Sequence, residues 1–259
     1  MDRVPGSAAF RRAGTLALIA GLLGAAGLAL AGCQATSTTS SPGPATASAS
    51  PGFSVPGTHR ATATYQISSP VRTVVVAGHV GNVTVTGGSG PAVSVTEQAD
   101  YSKTPPVTTR TVSGTTLTVT YTCPAQVVCG VAYTLRVPRT VAVQVTTGTG
   151  AIRLAGLAGN VTAKADVGLI SAAGLEGASV SLTTSVGAIS ASFAAAPATV
   201  QAVARVGAIT LHLPGTASYK VSADAHLGKA TVSVPQSSSS AHSITATTDV
   251  GAILIAPSS

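Results

Sequence analysis

Residues 143–172 read VQVTTGTGAIRLAGLAGNVTAKADVGLISA, and this stretch decides the fold. It carries one phrase twice. Val143, Val145 and Thr147 stand seven, five and three residues before Gly150; Val161, Ala163 and Ala165 stand at the same distances before Gly168. Two residues after each glycine comes an isoleucine, Ile152 or Ile170, and four after it an apolar residue, Leu154 or Ala172. Polar side chains such as Gln144, Thr162, Arg153 and Ser171 fill the places between. Alternation of period two predicts strands with one buried and one solvated face. Each phrase therefore reads as two short strands hinged at a glycine, where crowding or positive φ would exclude a side chain.

The phrase returns at Gly187, Gly207, Gly228 and Gly251, giving six turn glycines spaced 18, 19, 20, 21 and 23 residues apart. One repeat cannot bury its own apolar face, whereas stacked copies share a continuous core. Like residues at like offsets predict parallel, in-register coils about 4.8 Å apart. The expected fold is all-β: a narrow parallel β-solenoid, or single-stranded β-helix, of about six coils, with a thin interior set by its small inward residues. The extra residues that stretch the spacing fall between phrases, at 175–177, 193–197, 214–218 and 236–240, which places projecting loops along one edge. Residues 58–140 are also β-rich, and GHVGNVTVTG, centred on Gly81, resembles a worn copy of the turn. They are expected to form a cap that starts the stack, with residues 141–259 the repeats and 58–259 one continuous domain.

Residues 1–32 have a different character. Arg3, Arg11 and Arg12 precede an apolar run from Leu16 to Leu30 that ends in Leu30-Ala31-Gly32-Cys33. A basic start, a short apolar segment and small residues before a cut are the parts of a secretory signal. The run is shorter than the ~20 residues of a membrane-spanning helix. LAGC resembles the lipobox of bacterial lipoproteins, which implies cleavage between Gly32 and Cys33 and a diacylated, palmitate-type anchor on the Cys33 sulfur. Two acyl chains hold a protein on a membrane stably, where one does not. Residues 33–57, rich in Ser, Thr, Ala and Pro, read as a flexible tether, with a reach on the order of 25–30 Å. The expected location is extracytoplasmic, lipid-anchored to the cell membrane.

Export places Cys123 and Cys129 in a disulfide-permissive compartment. They flank a Pro-containing turn between TLTVTYT and VAYTLRV, and a hairpin-closing disulfide is expected. Their spacing is not C-x-x-C and no second ligand pair accompanies them, which disfavours zinc and redox chemistry.

The formal net charge is +7, of which Asp2, Arg3, Arg11 and Arg12 contribute +2, leaving +5 for the mature chain. Only 8% of residues are charged and 3% aromatic, and the basic residues are scattered, which excludes a nucleic-acid surface. The mature acidic residues are Glu97, Asp100, Asp166, Glu176, Asp224 and Asp249. In chain order Asp166 and Asp249 lie four coils apart, and no carboxylate pair converges as glycan cleavage requires. Asp166, Ser185, Arg205 and His226 share one offset from the turn glycine, but Ser185 and His226 fall two coils, near 10 Å, apart, too far for a nucleophile and its base. His59, His79, His212, His226 and His242 lack metal-ligand spacing. No catalytic residue, metal or cofactor is expected. Ser171, Ser190, Thr210 and Thr231 predict an outward hydroxyl row, with Arg153 and Leu254 at its two ends.

Leu135 to Ala172, LRVPRTVAVQVTTGTGAIRLAGLAGNVTAKADVGLISA, resembles the recurrent text of the DUF4097 adhesin-type β-helix proteins. The resemblance covers residues 60–256 and is one of periodicity. It implies surface location and binding. Family members often carry Asp after the turn glycine, where this chain has Ala151, Leu169, Ala188, Ala208 and Ala252. The function expected is that of a non-catalytic surface lipoprotein, an adhesin-like binding or scaffolding module with a cell-wall or envelope-protein partner. The alternatives are a regulatory module in envelope-stress sensing and a polysaccharide-active β-helix enzyme.

Overall fold

The computed structural model describes residues 59–258; Gly32, Cys33, the signal segment and the tether lie outside the described residues. The described chain is strand and turn throughout. Its first part contains β1 (His59–Ile67), β2 (Thr73–Val80), β3 (Val83–Gly88), β4 (Val93–Tyr101), β5 (Val107–Ser113), β6 (Thr116–Thr122) and β7 (Cys129–Pro138). The repeats follow as strand pairs: β8 (Ala142–Thr149) with β9 (Ile152–Ala155), β10 (Val161–Val167) with β11 (Ile170–Leu175), and β12 (Ser179–Val186) with β13 (Ile189–Phe193). Then come β14 (Thr199–Val206) with β15 (Ile209–Leu213), β16 (Lys220–Leu227) with β17 (Ala230–Val232), and β18 (Ser243–Val250) with β19 (Ile253–Pro257).

The two strands of a pair lie in different sheets. One sheet runs β1-β4-β7-β3-β9-β11-β13-β15-β19-β17, the other β16-β18-β14-β12-β10-β8-β2-β6-β5. Pairing among the repeats is parallel and in register: Val161 faces Val143 on one side and Val180 on the other, and Ile170 faces Ile152 and Ile189. The inward valines, isoleucines and alanines of both sheets form one continuous buried core.

Six of the corners between paired strands are the glycines picked out by the repeat, and Gly81 adds a seventh. Gly187 shows why nothing larger fits. Its φ is +144°, and a Cβ there would lie 2.0 Å from the carbonyl oxygen of Gly168 in the layer beneath. Corner glycine amides donate to the carbonyl of the residue before the glycine of the adjoining layer: Gly150 to Val167, Gly168 to Val186, Gly187 to Val206. The layers thus stay hydrogen-bonded through the bend.

Two expectations need correction. The stack holds eight two-strand layers, because β2–β3 and β6–β7, both inside the expected cap, have the same form. And the layers do not follow chain order at either end. Gly207 donates to Val250, and Gly251 to Leu227, so the layer of Gly251 lies between those of Gly207 and Gly228. At the other end β6–β7 lies outside β2–β3, although it comes later in the chain.

Apolar content accounts for the exchange at the carboxyl end. Ile244, Ile253 and Ile255 occupy the places that Val221, Ala230 and Val232 hold in the other layer, a difference of five methyl or methylene groups. At about 0.8 kcal/mol for each group fully buried, and with an end layer still covered on one face, the exchange favours the observed order by roughly 2 kcal/mol.

Candidate functional site

The corner edge is where the stack meets solvent with unusual chemistry. Strand alternation turns residues such as Ala165 inward and Asp166 outward, but at the glycine the chain must swing between sheets. The side chain just before the glycine then belongs to neither face. Those side chains are apolar: Val167, Val186, Val206, Val250 and Leu227, exposed to 47, 49, 44, 43 and 69%. Their register is continuous, Val167 facing Val186, Val186 facing Val206, Val206 facing Val250, and Val250 facing Leu227. They form a ridge one side chain wide, extending over roughly 19 Å at the spacing of neighbouring strands. Leu169 continues it past the corner. Isolated exposed apolar residues are ordinary; here they form a contiguous row on successive layers. The repeat phrase contains this signal, since the position before the glycine is valine in four of its six copies.

Beside the ridge run Asp166, Ser185, Arg205, Asp249 and His226, in that spatial order. The exchanged layers alter two spacings expected from the chain. Asp166 and Asp249 are three layers apart, about 14 Å, and Ser185 and His226 are also three layers apart. His226 instead neighbours Asp249, with Nδ1 4.0 Å from Oδ1 on the exposed edge. Leu254 sits between Thr210 and Thr231, not at the end of the hydroxyl row, and so divides it.

The remaining carboxylates are dispersed. Asp100 accepts from Arg60 Nε at 2.7 Å, Glu176 pairs with Arg139, and Asp224 points outward from the edge strand β16. Among the described residues no group of three His, Cys, Asp or Glu side chains is placed to hold a metal ion. Cys123 and Cys129 are joined by a disulfide, Cα atoms 5.8 Å apart, but not across the expected hairpin: β6 and β7 lie in different sheets, and the bridge spans the corner between them.

Among the described residues Glu97 is the one carboxylate drawn into the core, 3% exposed. On β4 it follows Val93 and Val95 on the inward face, so the alternation itself carries it inside. The hydroxyl of Tyr65 donates to Glu97 Oε2 at 2.5 Å, and the Arg110 guanidinium lies 3.5 Å over the Tyr65 ring. Burial first, and then the bond to Glu97, push the Tyr65 hydroxyl up to about 12. Burial likewise raises the hydroxyl of Tyr133, whose oxygen, like Glu97 Oε1 and Arg110 Nη1, has no hydrogen-bond partner among the described residues. Tyr65 and Arg110 come from opposite sheets and meet across the interior. They close the β1–β5 end of the stack.

No known protein family and no curated protein matches the chain. Among solved structures it is similar to a candidate cell adhesion protein of Clostridium sporogenes, 13% identical, over 77% of this chain and 100% of that one, with a TM-score of 0.48. A candidate adhesin of Bacteroides fragilis is 14% identical over 76% and 97% of the two chains, at 0.45. One from Parabacteroides distasonis is 11% identical over 77% and 98%, at 0.31.

Proposed function

We propose that this protein is a non-catalytic, lipid-anchored binding module of the bacterial cell envelope, and that it engages an envelope protein or wall polymer through its corner ridge. The layered strand pairs are read as a parallel β-solenoid with exchanged layers at both ends. The observation that carries the binding role is the row Val167, Val186, Val206, Val250 and Leu227, five apolar side chains held in solvent on successive layers. The observation that carries the location is Cys33 behind a basic and then apolar leader. A diacylated Cys33 and a 24-residue tether would keep the body near the membrane surface without embedding it.

Both parts are open to test. The intact mass of the mature protein should begin at Cys33 and carry two acyl chains; an unmodified cysteine refutes the anchor. The mature protein, immobilised in detergent, should capture a component from isolated envelope fractions. The Val186→Ser/Val206→Ser double variant, altered only on the exposed ridge, should fold equally well and lose that capture. Equal capture by the double variant removes the ridge from the function.

A further inference from the structure

The outer faces of the two sheets differ in charge. On the nine-stranded sheet Lys164, Arg205 and Lys220 are interspersed with Asp166, Asp224 and Asp249. Among the described residues the strands of the ten-stranded sheet carry two carboxylates: Glu97 points into the core, and Asp100 is paired with Arg60. Arg136 on β7 and Arg153 on β9 therefore stand on a face without a free acid. Neither forms an ion pair among the described residues. Strand β3 runs between them. Register sets Thr86 beside Arg136 and Thr84 beside Arg153, so the two arginines oppose each other diagonally across β3. Two strand spacings and an offset of two residues put their Cα atoms roughly 12 Å apart. On their long stems both guanidinium groups can reach over the hydroxyls between them.

The floor of this trough is short. The outward positions of β3 are Thr84, Thr86 and Gly88. The fold does not require glycine at 88: its φ is not left-handed, and a Cβ there would meet only the Val137 carbonyl oxygen, at 3.8 Å. Its neighbour Gly87 is a packing glycine by contrast, with its Cβ position 2.0 Å from the Gly156 oxygen. Past Thr86 the trough opens into a cavity of about 330 Å³ lined by Gly87, Gly88, Ser89, Gly156 and Arg139, the last already paired with Glu176.

We propose that this trough binds a phosphodiester-linked polymer, with one phosphate over Thr84 and Thr86 and the adjoining polyol or sugar unit over Gly88 in the cavity. Three features select that chemistry. Arginines approaching from opposite sides need acceptor oxygens on both sides. The two non-bridging oxygens of a tetrahedral phosphodiester supply them, whereas a carboxylate turns both oxygens to one side. The threonine hydroxyls donate to the same oxygens from below. The trough then continues past Gly88, which suits a chain extending from the anion better than an isolated ion. It opens toward the loop edge, away from the corner ridge, and the proposal rests on no part of the ridge reading.

The probe is a synthetic glycerol-phosphate oligomer, titrated calorimetrically into the mature protein in detergent beside an oligouronate of equal charge. The oligomer should bind and the oligouronate should bind far more weakly. Arg136→Gln/Arg153→Gln should lower the oligomer affinity about tenfold or more, since each change removes charge-assisted hydrogen bonds. Gly88→Leu, which keeps both arginines and fills the trough, should lower it several-fold. Lys164→Gln/Lys220→Gln removes the same charge from the outer face of the other sheet and should leave binding unchanged. Arg136, Arg153 and Gly88 lie on the solvent side of their strands, so the variants keep the fold, which circular dichroism checks. The proposal is overturned if the parent fails to bind the oligomer or binds the oligouronate as tightly. It is equally overturned if either trough variant binds like the parent, or if the lysine variant falls as far as the arginine one. Each of these substitutions leaves Val186 and Val206 intact, so envelope capture and phosphodiester binding fail or succeed separately.

Discussion

The hydroxyl of Thr248 donates to the carbonyl of Gly207 at 2.9 Å, across 41 residues of chain and past the whole layer of Gly228. Thr147 does the same to Gly81, and Thr184 to Gly168. Each is a buried threonine three residues before its corner glycine, reaching into the next layer toward the β1–β5 end. Thr248→Val keeps the shape and removes the donor. It should lower the free energy of unfolding by about 1 kcal/mol, read from denaturant midpoints, because the net worth of one intramolecular hydrogen bond is of that order.

In spatial order this inward position reads Thr147, Ala165, Thr184, Ala204, Thr248, Ala225. Threonine and alanine alternate once the last two layers are exchanged; in chain order they do not. Ala204 therefore has a threonine on both sides, and Ala225 on one. Ala204→Thr should cost roughly 1–3 kcal/mol through overpacking. Ala225→Thr, in the open end layer, should cost less than half as much. Equal costs for the two would contradict the exchanged order.

At the corner, glycine answers to two constraints at once, a positive φ and a carbonyl of the neighbouring layer. Gly187→Ala would set its Cβ 2.0 Å from the Gly168 oxygen and keep a φ of +144°. It should cost about 3 kcal/mol or more and expand the corner. Gly90→Ala meets nothing within 4 Å and has ordinary φ, so its thermal midpoint should match or slightly exceed that of the parent.

The buried Tyr65–Glu97 bond has a pH signature. The Tyr65 hydroxyl is raised in the folded protein from 10.0 to about 12, so folding favours its protonated form. Its contribution is complete below pH 10 and is lost as the pH rises toward 12. Urea midpoints measured from pH 8 to 12 should fall above pH 10, and Tyr65→Phe should flatten part of that fall. The raised hydroxyls of Tyr133, Tyr121 and Tyr219 would account for what remains.

How far the sequence could be read depended on whether a position repeats. The corner glycines, the inward ladders and the parallel register all recur at fixed offsets, and alternation of period two translates directly into faces of a strand. The Glu97 site occurs once. Its carboxylate was legible as an inward residue of β4, but its partners Tyr65 and Arg110 sit on β1 and β5, in different sheets, and no spacing joins them. The valine ridge lay in plain view in the phrase, but a period-two rule assigns a face to strand residues and none to a residue at the bend.

What the chain alone determined is local: strands hinged at glycine, each with an apolar side that one repeat cannot cover, and therefore a stack. Which layer sits beside which was decided only in three dimensions. A layer's place depends on the surface its neighbours bury, and the isoleucine-rich layer of Gly251 gains more from two neighbours than the alanine-rich layer of Gly228 does. That comparison is between segments that never touch in sequence, so no window along the chain contains it. The placing of β16 and β17 as the last layer is its consequence.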